Sequence, residues 1–150
     1  MSETVITGAA RTPMGGFLGE MSSFSATDLG SIAIKGALTD SGADEKNIDE
    51  VLMGCVLPAG LGQAPARQAS LGAGIPLNTP AVTINKVCGS GMMTVIMASD
   101  QIRLGRSKVL VAGGMATLEG HKLRFLLCPK RTLESCSEPS KNPQNTLWPL

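Results

Sequence analysis

Apolar and polar positions along the chain follow two periods, one typical of strands and one typical of helices. Short β-branched or apolar runs bounded by turn residues predict four strands, at residues 4–9, 50–57, 81–87 and 108–114. Apolar residues spaced three and four apart predict helices at residues 25–41, 63–72 and 92–105. Strands that alternate with helices in this way indicate an α/β domain.

The last of these helices differs from the others because its apolar residues surround it almost completely. They are Met92, Met93, Val95, Ile96, Met97, Ala98 and Ile102. A helix without a polar face is buried in a large core or in a membrane, and this one is too short to cross a membrane. The pattern therefore predicts that protein packs on both sides of the helix.

Composition and charge exclude several classes of function. The 150 residues suit one domain, 43% of them are apolar, and the net charge is +1, which gives no sign of nucleic acid or an acidic membrane as a partner. The sequence contains no run of 18 apolar residues, so it predicts no membrane span. The four cysteines form no Cys-x-x-Cys pair. The N-terminal segment is neither basic nor a long apolar stretch, so no targeting peptide is predicted there. These features predict a reduced, cytoplasmic protein.

The character of the chain changes after Met115. Of the 18 glycines, one falls in residues 116–150, whereas four of the nine prolines do. The sequence therefore predicts an ordered domain at residues 1–115 and a divergent, poorly ordered tail at residues 116–150. A frameshift, a truncated gene, alternative splicing and a genuine novel tail all remain open as explanations.

Cys88 is the main candidate for chemistry, because it lies where the strand at 81–87 meets the following helix. The first amides of a helix are unpaired and carry partial positive charge, which favours a thiolate and can also hold an oxyanion. Three other interpretations compete. Cys88 could be a small core residue, the Gly-Ser-Gly that follows could bind phosphate, or its glycines could only permit close packing. A dinucleotide-binding fingerprint requires a third glycine where this chain has Thr94.

Metal binding is not predicted. His121, Cys128 and Cys136 could supply three ligands, but their spacing fits no common zinc pattern. Nothing in the sequence places His121, the only histidine, beside Cys88 as a base.

Four ordered segments resemble the thiolase family of acetyl-CoA acetyltransferases. They are residues 10–19, 62–69, 85–92, which contain Asn-Lys-Val-Cys-Gly-Ser-Gly-Met, and 111–115. The resemblance implies the N-terminal half of a thiolase-like fold, a mixed sheet flanked by helices, with the second half absent. A related condensing enzyme such as a ketoacyl synthase is disfavoured by the Arg-Thr-Pro segment and by Gly-Gln-Ala-Pro-Ala-Arg-Gln.

The resemblance also implies a reaction. In the complete family enzyme a cysteine takes an acyl group from coenzyme A, and a Claisen condensation then gives acetoacetyl-CoA. Cys88 matches the nucleophile, its backbone amide is a possible oxyanion donor, and Gln63, Arg67 and Gln68 are expected to support the site. Coenzyme A thioesters are expected as substrates without any further cofactor, and the residues that bind them are not identified.

The family's Gly-His-Pro and Cys-x-Gly segments do not occur in the sequence. The chain alone is therefore expected to be inactive, and a homo-oligomer or a complementary thiolase half is its expected partner. The alternative is a non-catalytic interaction module derived from a thiolase, which pairs through its sheet edge and its apolar helix. Chain-length preference and biosynthetic or degradative use stay open.

Overall fold

The computed structural model describes residues 3–16 and 18–117, which form a parallel sheet between two layers of helices. The strands are β1 (Glu50–Gly54), β2 (Ala81–Ile84) and β3 (Leu110–Gly114), and the α-helices are α1 (Ala26–Ser41), α2 (Pro65–Gly72) and α3 (Ser90–Arg103). A single 3₁₀ turn, Glu45–Asn47, precedes β1. The expected α/β fold is confirmed.

Helix α1 begins and ends at the residues that its sequence predicts. Ser25 is the N-cap: its Oγ accepts a hydrogen bond from the Asp28 amide at 3.1 Å, and the Asp28 carboxylate accepts one from the Ser25 amide at 2.9 Å. These two bonds form a capping box. Gly42 ends the helix in the left-handed conformation, with φ of 65°, which glycine adopts without steric cost.

The strand order is β2-β1-β3, and both pairs are parallel. Crossover connections between parallel strands are right-handed as a rule. The chain steps from β1 to β2 through α2 and then back past β1 to β3 through α3, so the two helices cover opposite faces. An antiparallel strand of the expected mixed sheet is not among the described residues.

The central strand β1 is buried on both faces. Val51 and Met53 belong to the core cluster that includes residues of α1 and α2. Side chains alternate along a strand, so Leu52 and Gly54 face α3. A Cβ added at Gly54 would lie 2.6 Å from the backbone carbon of Ser90. Glycine therefore permits the first turn of α3 to rest directly on the end of β1.

The strand predicted at Thr4–Ala9 is wrong, because no strand forms there among the described residues. A β-branched run becomes a strand only when a neighbouring strand pairs with it. Here the Ala9 amide donates to the Asp40 carboxylate at 3.0 Å instead. A cleft of about 540 Å³ is lined on one side by residues 4–10 and on the other by β3.

The remaining boundaries differ by a few residues from their predictions. Strand β1 ends at Gly54 rather than residue 57, β2 ends at Ile84 rather than residue 87, and α3 begins at Ser90, two residues early. Apart from Ala116 and Thr117, the predicted tail lies outside the described residues. None of the helices in the described ranges combines the length and the apolar character that crossing a membrane requires.

Candidate functional site

The candidate site is the turn between β2 and α3, at the carboxyl edge of the parallel sheet. Cys88 lies there, exposed and not in a disulfide, immediately before the N-cap residue Gly89. In open parallel sheets ligands bind at this edge, outside the carboxyl ends of the strands. The sequence therefore placed Cys88 correctly at a strand-to-helix turn, although its proposed role stays a prediction.

An open cleft of about 310 Å³ adjoins Cys88. It is lined by the ends of all three strands or the residues that follow them and by the start of α3, namely Gly54, Val56, Val87, Cys88, Ser90, Gly91, Gly114, Met115 and Ala116. The lining is apolar or small, and the Cys88 thiol is its most nucleophilic group. A small acyl group is of a size and polarity that such a cleft accommodates.

The turn that carries Cys88 has an uncommon backbone. Val87 has φ of 49°, in the left-handed region that β-branched residues rarely adopt. The Val87 amide donates to Asn85 Oδ1 at 3.0 Å, and the Val87 carbonyl accepts a hydrogen bond from Ser90 Oγ at 2.6 Å. Ser90 Oγ also accepts from the Lys86 amide at 2.8 Å. Two side chains therefore hold the peptide groups on both sides of the unusual residue.

The N-terminus of α3 is fixed firmly on the sheet. Gly91 packs against Gly114, where an added Cβ would lie 3.2 Å from the Gly91 Cα. Thr94, which is fully buried, donates from Oγ1 to the Gly113 carbonyl at 3.0 Å or to the Gly91 carbonyl at 2.7 Å. The N-cap Gly89 supplies no side-chain hydrogen bond to the helix. The positive end of the helix dipole thus lies beside Cys88 on a rigid support.

The two cysteines of the described residues have opposite environments. Cys55 belongs to the buried core, and this burial raises the pKa of its thiol. Cys55 is therefore a structural core residue. Cys88 is exposed on the cleft. Because a nucleophilic thiol must meet its substrate, only Cys88 of this pair is suited to chemistry.

The polar residues expected near the site hold loops in place. Arg67 donates to the carbonyls of Leu77 and Thr79, the latter at 2.5 Å. Gln68 Nε2 donates to the carbonyls of Leu61 and Gln63, both at 2.7 Å. These bonds order the segments before β2, and none joins Cys88 directly.

No group of three or more metal-binding side chains occurs within residues 3–16 and 18–117. His121, Cys128 and Cys136 lie outside the described residues.

Sequence reasoning missed Asn85, Ser90 and Thr94. Asparagine two residues before a left-handed residue is a signal for an Asx turn. The Asx turn was not predicted from the sequence, because a β-branched residue such as Val87 disfavours the left-handed conformation.

The fold and the turn together define a three-layer α/β domain with an exposed cysteine at a strand-to-helix turn. The family model described as "Thiolase, N-terminal domain" matches residues 4–124. This match covers most of the chain, and the chain therefore belongs to the thiolase family. The match ends somewhat beyond the boundary at Met115 that the composition predicts.

Curated relatives agree with this membership. The chain is 55% identical over 118 residues to the mitochondrial acetyl-CoA acetyltransferase of Danio rerio and 52% identical over 118 residues to that of Homo sapiens. Each alignment covers 79% of this chain and 28% of the relative. The chain thus spans just over a quarter of the length of these enzymes.

A solved structure has the same fold. The crystal structure of a thiolase from Ascaris suum in complex with coenzyme A superposes with a TM-score of 0.71 at 43% sequence identity. The superposition covers 73% of this chain and 28% of that one.

The expectation of a cytoplasmic protein is wrong. The curated relatives are named as mitochondrial enzymes, which contradicts that expectation. Free cysteines are compatible with either compartment. The alignment covers only 28% of the length of each relative. The first residues of this sequence therefore carry no information about a leader peptide.

Proposed function

We propose that Cys88 is the acyl-accepting nucleophile of a thiolase-type acetyl transfer. The Cys88 thiolate attacks the thioester carbonyl of acetyl-CoA, and a new C–S bond forms to the cysteine sulfur. The C–S bond to coenzyme A then breaks, and the coenzyme A thiolate leaves and takes up a proton. The product is an acetyl thioester on Cys88.

The observation that carries this proposal is the exposed Cys88 at the wall of an open cleft, beside the N-terminus of α3. The N-terminus of that helix places unpaired backbone amides and partial positive charge beside the thiol. Family membership and the coenzyme A complex of the Ascaris suum relative support coenzyme A thioesters as the substrate class.

We further propose the backbone amide of Cys88 as a donor to the oxyanion that forms on the thioester oxygen. A donor aimed at developing charge stabilises the transition state more than the ground state. Side chains that bind coenzyme A are not assigned, because no described residue is singled out for that role.

In the complete family enzyme the acetyl group would pass to a second acetyl-CoA in a Claisen condensation that gives acetoacetyl-CoA. The present sequence contains neither Gly-His-Pro nor Cys-x-Gly, so it lacks the segments expected to move the protons of that step. We therefore expect acetylation of Cys88 without condensation. The names of the relatives support the mitochondrion as the location.

The test is to incubate the whole chain with millimolar acetyl-CoA and to map the modified peptide by mass spectrometry. We expect one acetyl group on the Cys88 peptide and release of one equivalent of coenzyme A. The Cys88→Ser variant should give neither, while the buried Cys55 peptide of the wild-type chain serves as the internal control. An unmodified wild-type Cys88 would contradict the proposal, and formation of acetoacetyl-CoA would contradict the expected absence of condensation.

A second candidate function is a non-catalytic interaction module. Its support is the apolar surface of α3, where Met92 is 72%, Ile96 48% and Val95 44% exposed. Exposed apolar patches of this kind commonly mark protein interfaces. We propose a second copy or a complementary thiolase half as the partner.

Sedimentation equilibrium of the wild-type chain and of Val95→Glu tests this candidate. A self-associating wild-type chain that becomes monomeric on substitution would support pairing through α3. A folded, monodisperse wild-type monomer would exclude the second copy as the partner. Addition of a thiolase segment that covers the family regions outside this sequence then tests the complementary half in the same instrument.

A further inference from the structure

We propose that Asn85 and Ser90 are positioning residues that hold the Cys88 turn in the orientation required for acyl transfer. The inference rests on the proposed function of Cys88 and extends it to two side chains that do not themselves react. It starts from Val87, which directly precedes the cysteine.

Val87 is one of three non-glycine residues with positive φ in the described ranges, and it is the only β-branched residue of the three. A branched Cβ crowds the backbone in the left-handed region, so this conformation persists only where the surroundings enforce it. Because Val87 precedes Cys88, its dihedral angles set the direction in which the cysteine leaves the turn. The unusual conformation is therefore located where it controls the thiol.

Side chains enforce this conformation from both directions. Asn85 Oδ1 accepts the Val87 amide at 3.0 Å, while Asn85 Nδ2 donates to the Val56 carbonyl at 3.4 Å, in the loop after β1. Ser90 Oγ bridges the Lys86 amide and the Val87 carbonyl, at 2.8 and 2.6 Å. Asn85 thus ties the turn to the end of the central strand, and Ser90 ties it to α3.

The support behind these bonds is rigid. Ser90 is 5% exposed and packs against the backbone of Gly54, so its hydroxyl has little freedom to move. A nucleophile held by rigid elements reaches its near-attack geometry without further ordering, whereas a displacement of about 1 Å can cost on the order of 100-fold in rate. A large loss of rate on substitution therefore distinguishes a positioning residue from an ordinary turn residue.

The experiment compares Asn85→Ala, Asn85→Ser and Ser90→Ala in the whole chain, with the exposed Asn78→Ala as the matched control. We expect Asn85→Ala and Ser90→Ala to slow acetylation of Cys88 by acetyl-CoA by roughly 10- to 100-fold. Serine bonds to the amide two residues on more weakly than asparagine does, so Asn85→Ser should recover part of the rate. Asn78→Ala should match the wild type.

Alkylation by iodoacetamide distinguishes positioning from loss of fold. This small reagent needs no oriented approach, so its rate at Cys88 should change little in the variants. Cys55 is buried and should stay protected. Acetylation that equals the wild-type rate in Asn85→Ala would overturn the inference. Rapid alkylation of Cys55 in the same variant would also overturn it, because the loss would then come from unfolding.

Amide hydrogen exchange at Val87 keeps the two proposals separate. If the wild-type chain takes up no acetyl group, the proposed function fails and the role of the two side chains is judged by exchange alone. Faster exchange of the Val87 amide in Asn85→Ala than in the wild type would support the proposal that Asn85 fixes the turn. Equal exchange rates would overturn it.

Discussion

The two faces of the sheet differ in how completely they are covered. On the face covered by α1 and α2, the core side chains are almost inaccessible, and Met53 is 2% exposed. On the other face, α3 buries Thr94 and Ala98 but leaves Met92 72% exposed. The face of α1 and α2 is therefore the more completely covered one, while the α3 face presents both the candidate cysteine and unburied apolar surface.

The helices on the two faces also begin differently. Ser25 and Asp28 form a complete capping box at the start of α1. At the start of α3, Gly89 provides no side-chain cap. A capped helix start is defined by its own sequence, whereas α3 depends on contacts with the sheet and with the turn before it. The same kind of element is thus stabilised locally on one face and through tertiary contacts on the other.

The largest effect is expected from one substitution made on each face. Met53→Ala removes a buried side chain and should lower the free energy of unfolding by about 2–5 kcal/mol, since the lost contacts leave a cavity. Met92→Ala is the matched control, and it should change the free energy by no more than about 0.5 kcal/mol. Urea unfolding followed by circular dichroism measures both. Equal losses would show that another surface covers Met92 in solution.

Gly54→Ala tests the contact that fixes α3 on the sheet. The new Cβ would lie 2.6 Å from the Ser90 backbone carbon and 2.7 Å from the Gly91 amide nitrogen. Backbone atoms cannot rotate away, so we expect a loss of about 1–3 kcal/mol in the same unfolding measurement. Gly16→Ala, where an added Cβ meets nothing within 4 Å, is the control. A neutral Gly54→Ala would mean that α3 does not rest on β1.

Whether an element could be predicted from the sequence depends on whether local or tertiary contacts determine it. Helix α1 could be predicted to its ends because Ser25, Asp28 and Gly42 act through their nearest neighbours. Residues 4–9 carry a strand pattern and still form no strand, because the sequence of a segment does not state whether a neighbouring strand is available. The pattern shows that these residues favour a strand, but it does not show whether another strand pairs with them.

The candidate site shows a similar limit. Cys88 could be placed at a strand-to-helix turn because glycines and a change of period mark that junction. The left-handed Val87 could not be predicted, since its own side chain disfavours that conformation. Only the hydrogen bonds of Asn85 and Ser90 reveal why it is adopted. Resemblance to a family supplied the chemistry, and it did not supply these supporting contacts.

A smaller effect is expected from the cap of α1. Ser25→Ala removes the acceptor for the Asp28 amide and one donor to the Asp28 carboxylate, which should cost about 1 kcal/mol. Ser25→Asn retains a capping oxygen and should cost less. Thermal unfolding of both variants decides this, and a loss of the same size in both would point to packing of Ser25 rather than to capping.

The smallest effect concerns pH, and it comes from two carboxylates in different parts of the domain. Hydrogen bonds from the amides of Lys108 and Val109 lower the pKa of Asp49, which fastens the start of β3. Bonds from the Ser25 hydroxyl and amide likewise lower the pKa of Asp28. In both cases the unfolded chain binds more protons than the folded chain in acid. Stability therefore rises with pH across that range, is fully present above the unfolded value of about 3.8, and is lost as pH falls through the folded value.

Urea midpoints measured between about pH 5 and pH 2.5 should show this slope. Both carboxylates are largely exposed, so each contribution is expected to stay below about 1 kcal/mol. Asp49→Asn should remove the part of the slope that belongs to β3, and Asp28→Asn the part that belongs to α1, with the double variant showing the sum because the sites share no partner. If Asp49→Asn leaves the acid slope unchanged, its bonds to Lys108 and Val109 do not persist in solution. The start of β3 must then be held by strand pairing with β1 alone.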